Sequence, residues 1–374
     1  MSPRYGFLST HPPTRCGLAT FNQALAAHLG TGERRVVRVV SGPENGAAAP
    51  GVVHTWPAYP AGGWRAAAAA LNSFDVAVVQ HEYGIYPGRD GEDIVPLLQN
   101  LTVPSIVVLH TVLTSPTARQ RQLLEQIATA ASAVVTMTSA ARDRLVSGYD
   151  VPAGKVNVIP HGAGDHTGTR AAQQHRTHLL TWGLIGPGKG IEWGVRALAL
   201  LQDLTPAPVY TVAGKTHPKV LELRGEAYRT SVQRLAATLG VARAVRFDPA
   251  YRDTAALSRL IRSADVVVLP YDSREQVTSG VLIEAVAAGV PVVATRFPHA
   301  VELLDGGGGL LVPHRDAPAL AAAVRRILVE PGLGEQLTHT GDRPLLWSAV
   351  AARYDALARK LLAPDSLPLV TASA

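Results

Sequence analysis

The stretch Val266-Val267-Val268-Leu269-Pro270-Tyr271-Asp272-Ser273-Arg274-Glu275-Gln276-Val277-Thr278-Ser279-Gly280-Val281-Leu282-Ile283-Glu284-Ala285 changes character twice. It opens as an unbroken aliphatic, β-branched run, the pattern of a strand covered on both faces by helices. A polar segment then carries the chain to Thr278 or Ser279, either of which is a good helix N-cap, and an apolar helix starts at Gly280. A buried strand, a polar loop and a helix in that order are the unit from which parallel α/β layers are built.

The same unit recurs on both sides of this stretch. Strands are expected at Tyr5–Leu8, Arg35–Val40, Val76–Gln80, Ser105–His110, Ala133–Met137 and Val156–Ile159, then at Leu179–Gly183, Val209–Ala213, Ala244–Phe247, Val266–Pro270 and Val292–Ala294. Helices are expected between them, among them Ala19–Leu29, Thr117–Ala131, Glu192–Leu201, Glu222–Leu239 and Ala317–Val329. The segment Gly162–His178 is polar and without apolar period, and reads as a linker. The expected organisation is therefore α/β, with a Rossmann-like domain over 1–168, a second over 169–344, a final helix over 345–362 and a tail over 363–374. A chain of 374 residues is about the length of two domains.

Composition narrows the class. No run of about 18 apolar residues is present to cross a bilayer, and the N-terminal residues lack the apolar core of a secretion signal. Cys16 is the only cysteine, so neither a disulfide framework nor a cysteine-rich metal site is available. A cytoplasmic location is the expectation. The formal charge of +6 comes from dispersed arginines, with no basic block interleaved with aromatics, which argues against a nucleic-acid surface. A peripheral contact with anionic membrane headgroups stays open, as does the oligomeric state.

In open α/β sheets ligands bind beyond the carboxyl ends of the strands, so the polar residues there are the ones to weigh. Gly183-Leu184-Ile185-Gly186-Pro187-Gly188-Lys189-Gly190 leaves a strand and enters a helix. It matches the G-x-x-x-x-G-K phosphate loop except that Gly190 stands where a Ser or Thr would hold magnesium. Glycines permit close approach, and Lys189 places a cation near a helix N-terminus, where anions are favoured. At the second segment, the N–H groups of Gly280, Val281 and Leu282 in the first helical turn are expected to be open donors suited to a diphosphate. Glu284, one turn further among apolar neighbours, needs a partner, and ribose hydroxyls would supply one.

Gly188-Lys189-Gly190 and Gln276…Glu284, with Ala285-Val286-Ala287-Ala288-Gly289-Val290-Pro291-Val292-Val293-Ala294 after them, resemble glycosyltransferase family 4, the group 1 glycosyltransferases of the GT-B fold. Pro12-Pro13-Thr14-Arg15-Cys16-Gly17, Ile159-Pro160-His161-Gly162 and Ser263-Ala264-Asp265-Val266 resemble the same family in the same order, over about residues 5–330. The resemblance implies two facing Rossmann-like domains with a cleft between them. It implies a retaining, metal-independent hexosyltransferase without cofactor, its nucleotide-diphosphate sugar on the C-terminal domain and a saccharide, small-molecule or lipid-linked acceptor on the N-terminal one. GDP-mannose is the preferred donor, by resemblance to mannosyltransferase-like members, and a UDP-sugar the next. Carried over by residue, Lys189 and Gly188 meet the diphosphate, Ser279 to Leu282 bind it, and Glu284 holds the ribose. Gly17 lets the first loop pass close to the phosphates, His110 stands near the transferred sugar, and the final helix packs back on the first domain.

Two positions depart from that pattern. Eight residues before Glu284, where the family carries a glutamate against the donor sugar, stands Gln276, with Glu275 one position off. Five before Lys189, where the family has an arginine, stands Leu184. Lys215 is the first choice to replace that charge, ahead of Arg15 and Arg274, and Gly214 and His217 flank it at a strand end. Acceptor-side candidates are Arg15, His81, Glu82 and His161. A metal held by His81, Glu82, His110 and His161 matches no ligand spacing, so none is expected. The rivals are a magnesium-dependent phosphate-loop NTPase or kinase, a sugar phosphorylase of the same fold, and a nucleotide-sugar-binding protein without transfer.

Overall fold

The computed structural model describes residues 2–14, 16–40, 49–57, 62–166, 177–339 and 345–363. The chain forms two compact units, Met1–Gly162 together with Leu345–Ala374, and Ala163–Pro344.

In the first unit seven described strands, β1 (Tyr5–Ser9), β2 (Arg34–Val40), β3 (Val52–Pro57), β4 (Val76–His81), β5 (Ser105–Leu109), β6 (Ala133–Thr136) and β7 (Val156–Val158), form one sheet in the order β3-β2-β1-β4-β5-β6-β7. Every pair is parallel, and Leu8 lies opposite Val37 on one side and Val79 on the other. The order reverses between β1 and β4, which makes their carboxyl ends the switch point of the sheet. Side chains alternate across a strand, so Tyr5, Phe7, Val76, Val78, Ile106 and Val108 share one buried core with Phe21 and Leu25 of the helix Gly17–His28. Val350 and Tyr354 of the last helix, Trp347–Leu362, complete that core. The Tyr5 hydroxyl donates to Asp355 Oδ1 at 2.6 Å, which ties the last helix to the first strand.

The second unit has six described strands, β8 (His178–Trp182), β9 (Val209–Ala213), β10 (Val245–Asp248), β11 (Val266–Leu269), β12 (Val292–Thr295) and β13 (Leu310–Val312), in the order β10-β9-β8-β11-β12-β13. All pairs are again parallel. One core joins Leu179, Val212, Val268 and Val293 to the helices Ile191–Ala199 and Ala317–Val329. Another, on the opposite face, joins Leu180, Leu269, Val292 and Ala294 to Leu282 and Ala285 of the helix Gly280–Ala287. The switch point lies between β8 and β11, so the loops that follow these two strands flank it.

The class and eleven strands are as read from the sequence, with ends shifted by a residue. Two strands were not foreseen, β3 and β13, and both lie at sheet edges. Val52–Pro57 is only partly buried and mixes His, Thr and Trp, while Leu310–Val312 is three residues long behind a glycine run. Neither offers a long apolar run to detect. The helix expected over Glu222–Leu239 is corrected to two, Pro218–Arg224 and Ala227–Thr238, because the chain turns at Gly225, whose N–H closes on the Leu221 carbonyl. No described helix is long and apolar enough to cross a membrane.

Candidate functional site

Within the second unit, the two loops at the switch point are laced together. The Gly188 carbonyl accepts the N–H of Asp272 at 2.9 Å and of Ser273 at 3.3 Å. Gly190 is the N-cap of the Ile191–Ala199 helix in a left-handed conformation, φ 61° and ψ 26°. A Cβ built there would stand 1.8 Å from the Pro270 carbonyl oxygen. The position thus excludes the Ser or Thr of a phosphate loop on two counts, backbone strain and overlap, and the NTPase rival loses its magnesium ligand. Lys189, one residue earlier, lies with Nζ 4.1 Å from the centroid of the buried Tyr271 ring. This cation–π contact fixes the stem while the site stays half-buried. Tyr271 in turn stacks on Phe297, with centroids 5.0 Å apart.

The β9 loop joins the same assembly. Ile185 donates its N–H to the Lys215 carbonyl and His217 its N–H to the Ile185 carbonyl, both at 2.8 Å. At Gly214, φ 133°, a Cβ would meet the Gly183 carbonyl oxygen at 1.9 Å, so only glycine lets the two loops touch. Lys215 is exposed, and His217 caps the short helix that follows by accepting the Lys219 N–H at 3.2 Å. Burial, and after it the charges of Lys219 and Lys189, hold the His217 imidazole below the ordinary histidine value. The first turn of the Ala227–Thr238 helix braces both loops from below. Arg229 Nη2 donates to the Gly214 carbonyl at 2.7 Å. The Tyr228 hydroxyl accepts the Ile191 N–H at 3.1 Å and donates to Glu192 Oε2 at 2.6 Å.

On the other side of the switch point, Ser279 is the N-cap of Gly280–Ala287 and its Oγ accepts the Leu282 N–H at 3.3 Å. The expectation for Leu282 is therefore corrected: the capping hydroxyl already takes its amide. Among the described residues no acceptor meets the N–H groups of Gly280 and Val281, and these are the open donors of the turn. Val281 lies beside the glycine loop, its Cγ2 3.4 Å from where a Cβ on Gly183 would be. His299, which no sequence pattern singles out, supports the cap: its Nδ1 accepts the Ser279 N–H at 2.8 Å. The Gln276 side-chain amide donates back to the Thr278 carbonyl, so it stiffens the capping turn, and the Glu275 N–H is held by Ser273 Oγ at 3.3 Å. Glu284 already has protein partners, the Gly164 N–H at 3.2 Å from both carboxylate oxygens and the His166 ring nitrogen Nε2.

In the first unit the expected residues gather at the ends of β1, β4 and β5. His110 is held by Gln80 Oε1, 2.8 Å from its Nε2, and lies edge-on to Phe21 at 4.9 Å. Phe21 also packs against His161 and Trp347, at 5.1 and 5.0 Å. Burial, with smaller contributions from His161 and His81, holds His110 down to about 3, so the ring is neutral. Glu82 accepts from the Thr111 hydroxyl at 2.7 Å. His81 is corrected as an acceptor-side candidate: it is 1% exposed and, by strand alternation, faces away from the Gln80 side of the sheet. Gly17 opens its helix behind the N-cap Cys16, and a Cβ there would meet nothing within 4 Å. Arg15 lies outside the described residues. No group of three or more His, Cys, Asp or Glu able to hold a metal occurs among the described residues.

Residues 24–164 match the family model described as Glycosyltransferase Family 4, and residues 176–330 the one described as Glycosyl transferases group 1. This chain belongs to the family 4, group 1 glycosyltransferases. Among its relatives is the D-inositol 3-phosphate glycosyltransferase of Streptomyces avermitilis, 32% identical over 58% of this chain and 49% of that one. The glycogen synthase of Mycobacterium tuberculosis is 26% identical over 69% of this chain and 63% of that one. The chain thus spans about half the length of the first of these relatives. Among solved structures, Anabaena HepE in complex with UDP superposes with a TM-score of 0.71 over 96% of this chain and 98% of that one, at 16% identity. Sucrose-phosphate synthase from Thermosynechococcus elongatus gives 0.71 over 96% and 99%, at 21%. These likenesses carry the fold, GT-B, with a Rossmann-like unit on each side of Gly162.

Proposed function

We propose that this chain is a retaining, metal-independent hexosyltransferase that takes its sugar from a nucleoside diphosphate and passes it to a hydroxyl acceptor. One arrangement carries the reading. At the switch point of the second unit a lysine held over a tyrosine ring shares a laced pair of loops with a capped helix whose Gly280 and Val281 amides are open. A cation and a helix N-terminus are what a diphosphate needs, and charge that grows on it as it leaves is stabilised by donors already in place. In the transfer, the bond from the anomeric carbon to the β-phosphate oxygen breaks and the bond to the acceptor oxygen forms on the same face. The acceptor proton goes to the departing phosphate. Lys189 neutralises the leaving group, Glu284 takes the ribose, and His217 and the exposed Lys215 line the approach. For the first unit we propose acceptor recognition, with His161 and Glu82 nearby and a neutral His110 positioning the sugar.

For the donor, a UDP-sugar now ranks before GDP-mannose, on the strength of HepE, solved with UDP and with UDP-glucose. The test is a thermal-shift screen over UDP- and GDP-sugars followed by turnover. A donor present at 100 times its Kd stabilises the folded state by about 2.7 kcal/mol. Lys189→Ala is expected to lower kcat/KM by about 100-fold or more. A screen with no stabilising nucleotide-sugar, or cleavage of an oligosaccharide that needs inorganic phosphate and no nucleotide, would overturn the proposal.

A further inference from the structure

Glu284 sits in a helix whose neighbouring side chains, Leu282, Ile283 and Ala285, are buried. A carboxylate so placed must have hydrogen-bond donors. They come from the short segment that follows Gly162, on which no sequence pattern drew attention. The Gly164 N–H lies 3.2 Å from both carboxylate oxygens, and His166 Nε2 is bonded to Oε2. The His166 ring is itself held on its far side, with Nδ1 3.0 Å from Ser258 Oγ on the helix Thr254–Arg262. An ionised carboxylate only accepts, so Nε2 carries the proton toward Glu284, and in the neutral ring Nδ1 accepts from the Ser258 hydroxyl. The His166 side chain is 4% exposed and that of Glu284 20%, so the histidine is sealed in while the carboxylate can still be reached. Gly164 and His166 leave part of its acceptor capacity, about four lone-pair sites, open.

We propose that His166 is a positioning residue for ribose recognition: through the relay Ser258–His166–Glu284 it holds the carboxylate in one orientation with its remaining lone pairs presented to the ribose hydroxyls. The inference rests on the reading that Glu284 takes the ribose. Without His166, the carboxylate keeps only the Gly164 amide and turns in its site, so the hydroxyls meet an acceptor that must first be ordered. A preorganised group loses less on binding, and the gain goes to a ligand that has the hydroxyls.

The experiment compares binding of UDP with 2′,3′-dideoxy-UDP, and of GDP with 2′,3′-dideoxy-GDP, by calorimetry on the full chain. Wild type, Glu284→Gln, His166→Ala, His166→Gln and Ser258→Ala are compared, with folding checked by circular dichroism. Wild type is expected to prefer the ribose form of its nucleotide by about 10-fold or more, the scale of one charge-assisted hydrogen bond. His166→Ala should remove most of that preference while leaving dideoxy affinity within about twofold. His166→Gln, which can return an N–H to Oε2, should restore it, and Ser258→Ala should give a smaller loss of the same kind. A His166→Ala protein that weakens ribose and dideoxy forms equally, or neither, overturns the inference. If His166→Ala does not fold, Ser258→Ala with an unchanged preference overturns it. If wild type shows no preference, or Glu284→Gln keeps it, the ribose role of Glu284 fails, and the relay with it.

Discussion

Replacing Gly190 by serine restores, on paper, the magnesium ligand of a phosphate loop, and the structure states what it does instead. The left-handed backbone at φ 61° places a new Cβ 1.8 Å from the Pro270 oxygen, 2.9 Å from its carbonyl carbon and 3.3 Å from Trp193 Cδ1. Holding an L-residue in that region costs about 1–2 kcal/mol. Moving a packed backbone carbonyl aside adds about 1–3 kcal/mol, as overpacking does elsewhere. The sum, about 2–5 kcal/mol, falls on the second unit, where a unit of this size loses about 2–4 °C of Tm per kcal/mol. Calorimetric scans of Gly190→Ser should show the transition of that unit lowered by about 4–20 °C. Gly306→Ala, where the new Cβ meets nothing within 4 Å, should shift it by about 1 °C or less. The displaced Pro270 also carries Tyr271, so Lys189 loses its rest and donor affinity should fall too. A Gly190→Ser protein within about 2 °C of wild type, or one that gains EDTA-sensitive ATP hydrolysis, would refute the reasoning.

Ser279→Ala removes the cap from the Gly280–Ala287 helix and should cost about 1 kcal/mol of stability by urea titration, with nucleotide binding weakened a few-fold; unchanged stability would contradict the capping role. Arg229→Met removes the buried donor to the Gly214 carbonyl and should destabilise by about 2 kcal/mol, while raising KM for the donor more than it lowers kcat; an effect on kcat alone would argue against a brace. Burial holds the His81 imidazole down to about 4 from its ordinary 6.5. The unfolded chain binds its proton first, so this stability is complete above pH 6.5 and is lost as pH falls toward about 4, at about 1.4 kcal/mol per pH unit. His81→Gln should therefore flatten urea stability between pH 6 and pH 5 by about that amount; equal slopes would exclude the residue as a source.

Much of the fold could be read because its strands are buried on both faces and announce themselves as aliphatic runs. Val76–Val79 and Val266–Leu269 are buried throughout, and their sequences carry almost no polar residue. Edge strands lack that constraint, which is why Val52–Pro57 and Leu310–Val312 passed unnoticed. In the site, residues tied to a local rule were legible: Ser279 by capping, Gly190 and Gly214 by their place after a strand, Lys189 by its loop. Residues that act from a distance in sequence were not. Nothing near His299 or Arg229 tells that one will reach Ser279 and the other Gly214. His166 lies in a polar segment whose lack of pattern reads as a linker, and only the folded chain brings it 118 positions forward to Glu284. The Leu282 amide shows the converse error, where a rule about helix ends held but one of its donors was already satisfied.

The last helix has a consequence for how the chain is made. Trp347–Leu362 supplies Trp347, Val350 and Tyr354 to the core of the first unit, and its Asp355 binds Tyr5. The ribosome therefore finishes the whole second unit before the first one has its final wall. Until then Phe21 and Leu25 wait with one side uncovered. A chain stalled or cut before Leu345 leaves that apolar face uncovered, and exposed apolar surface of this kind is what makes incompletely folded chains prone to aggregation and to proteolysis.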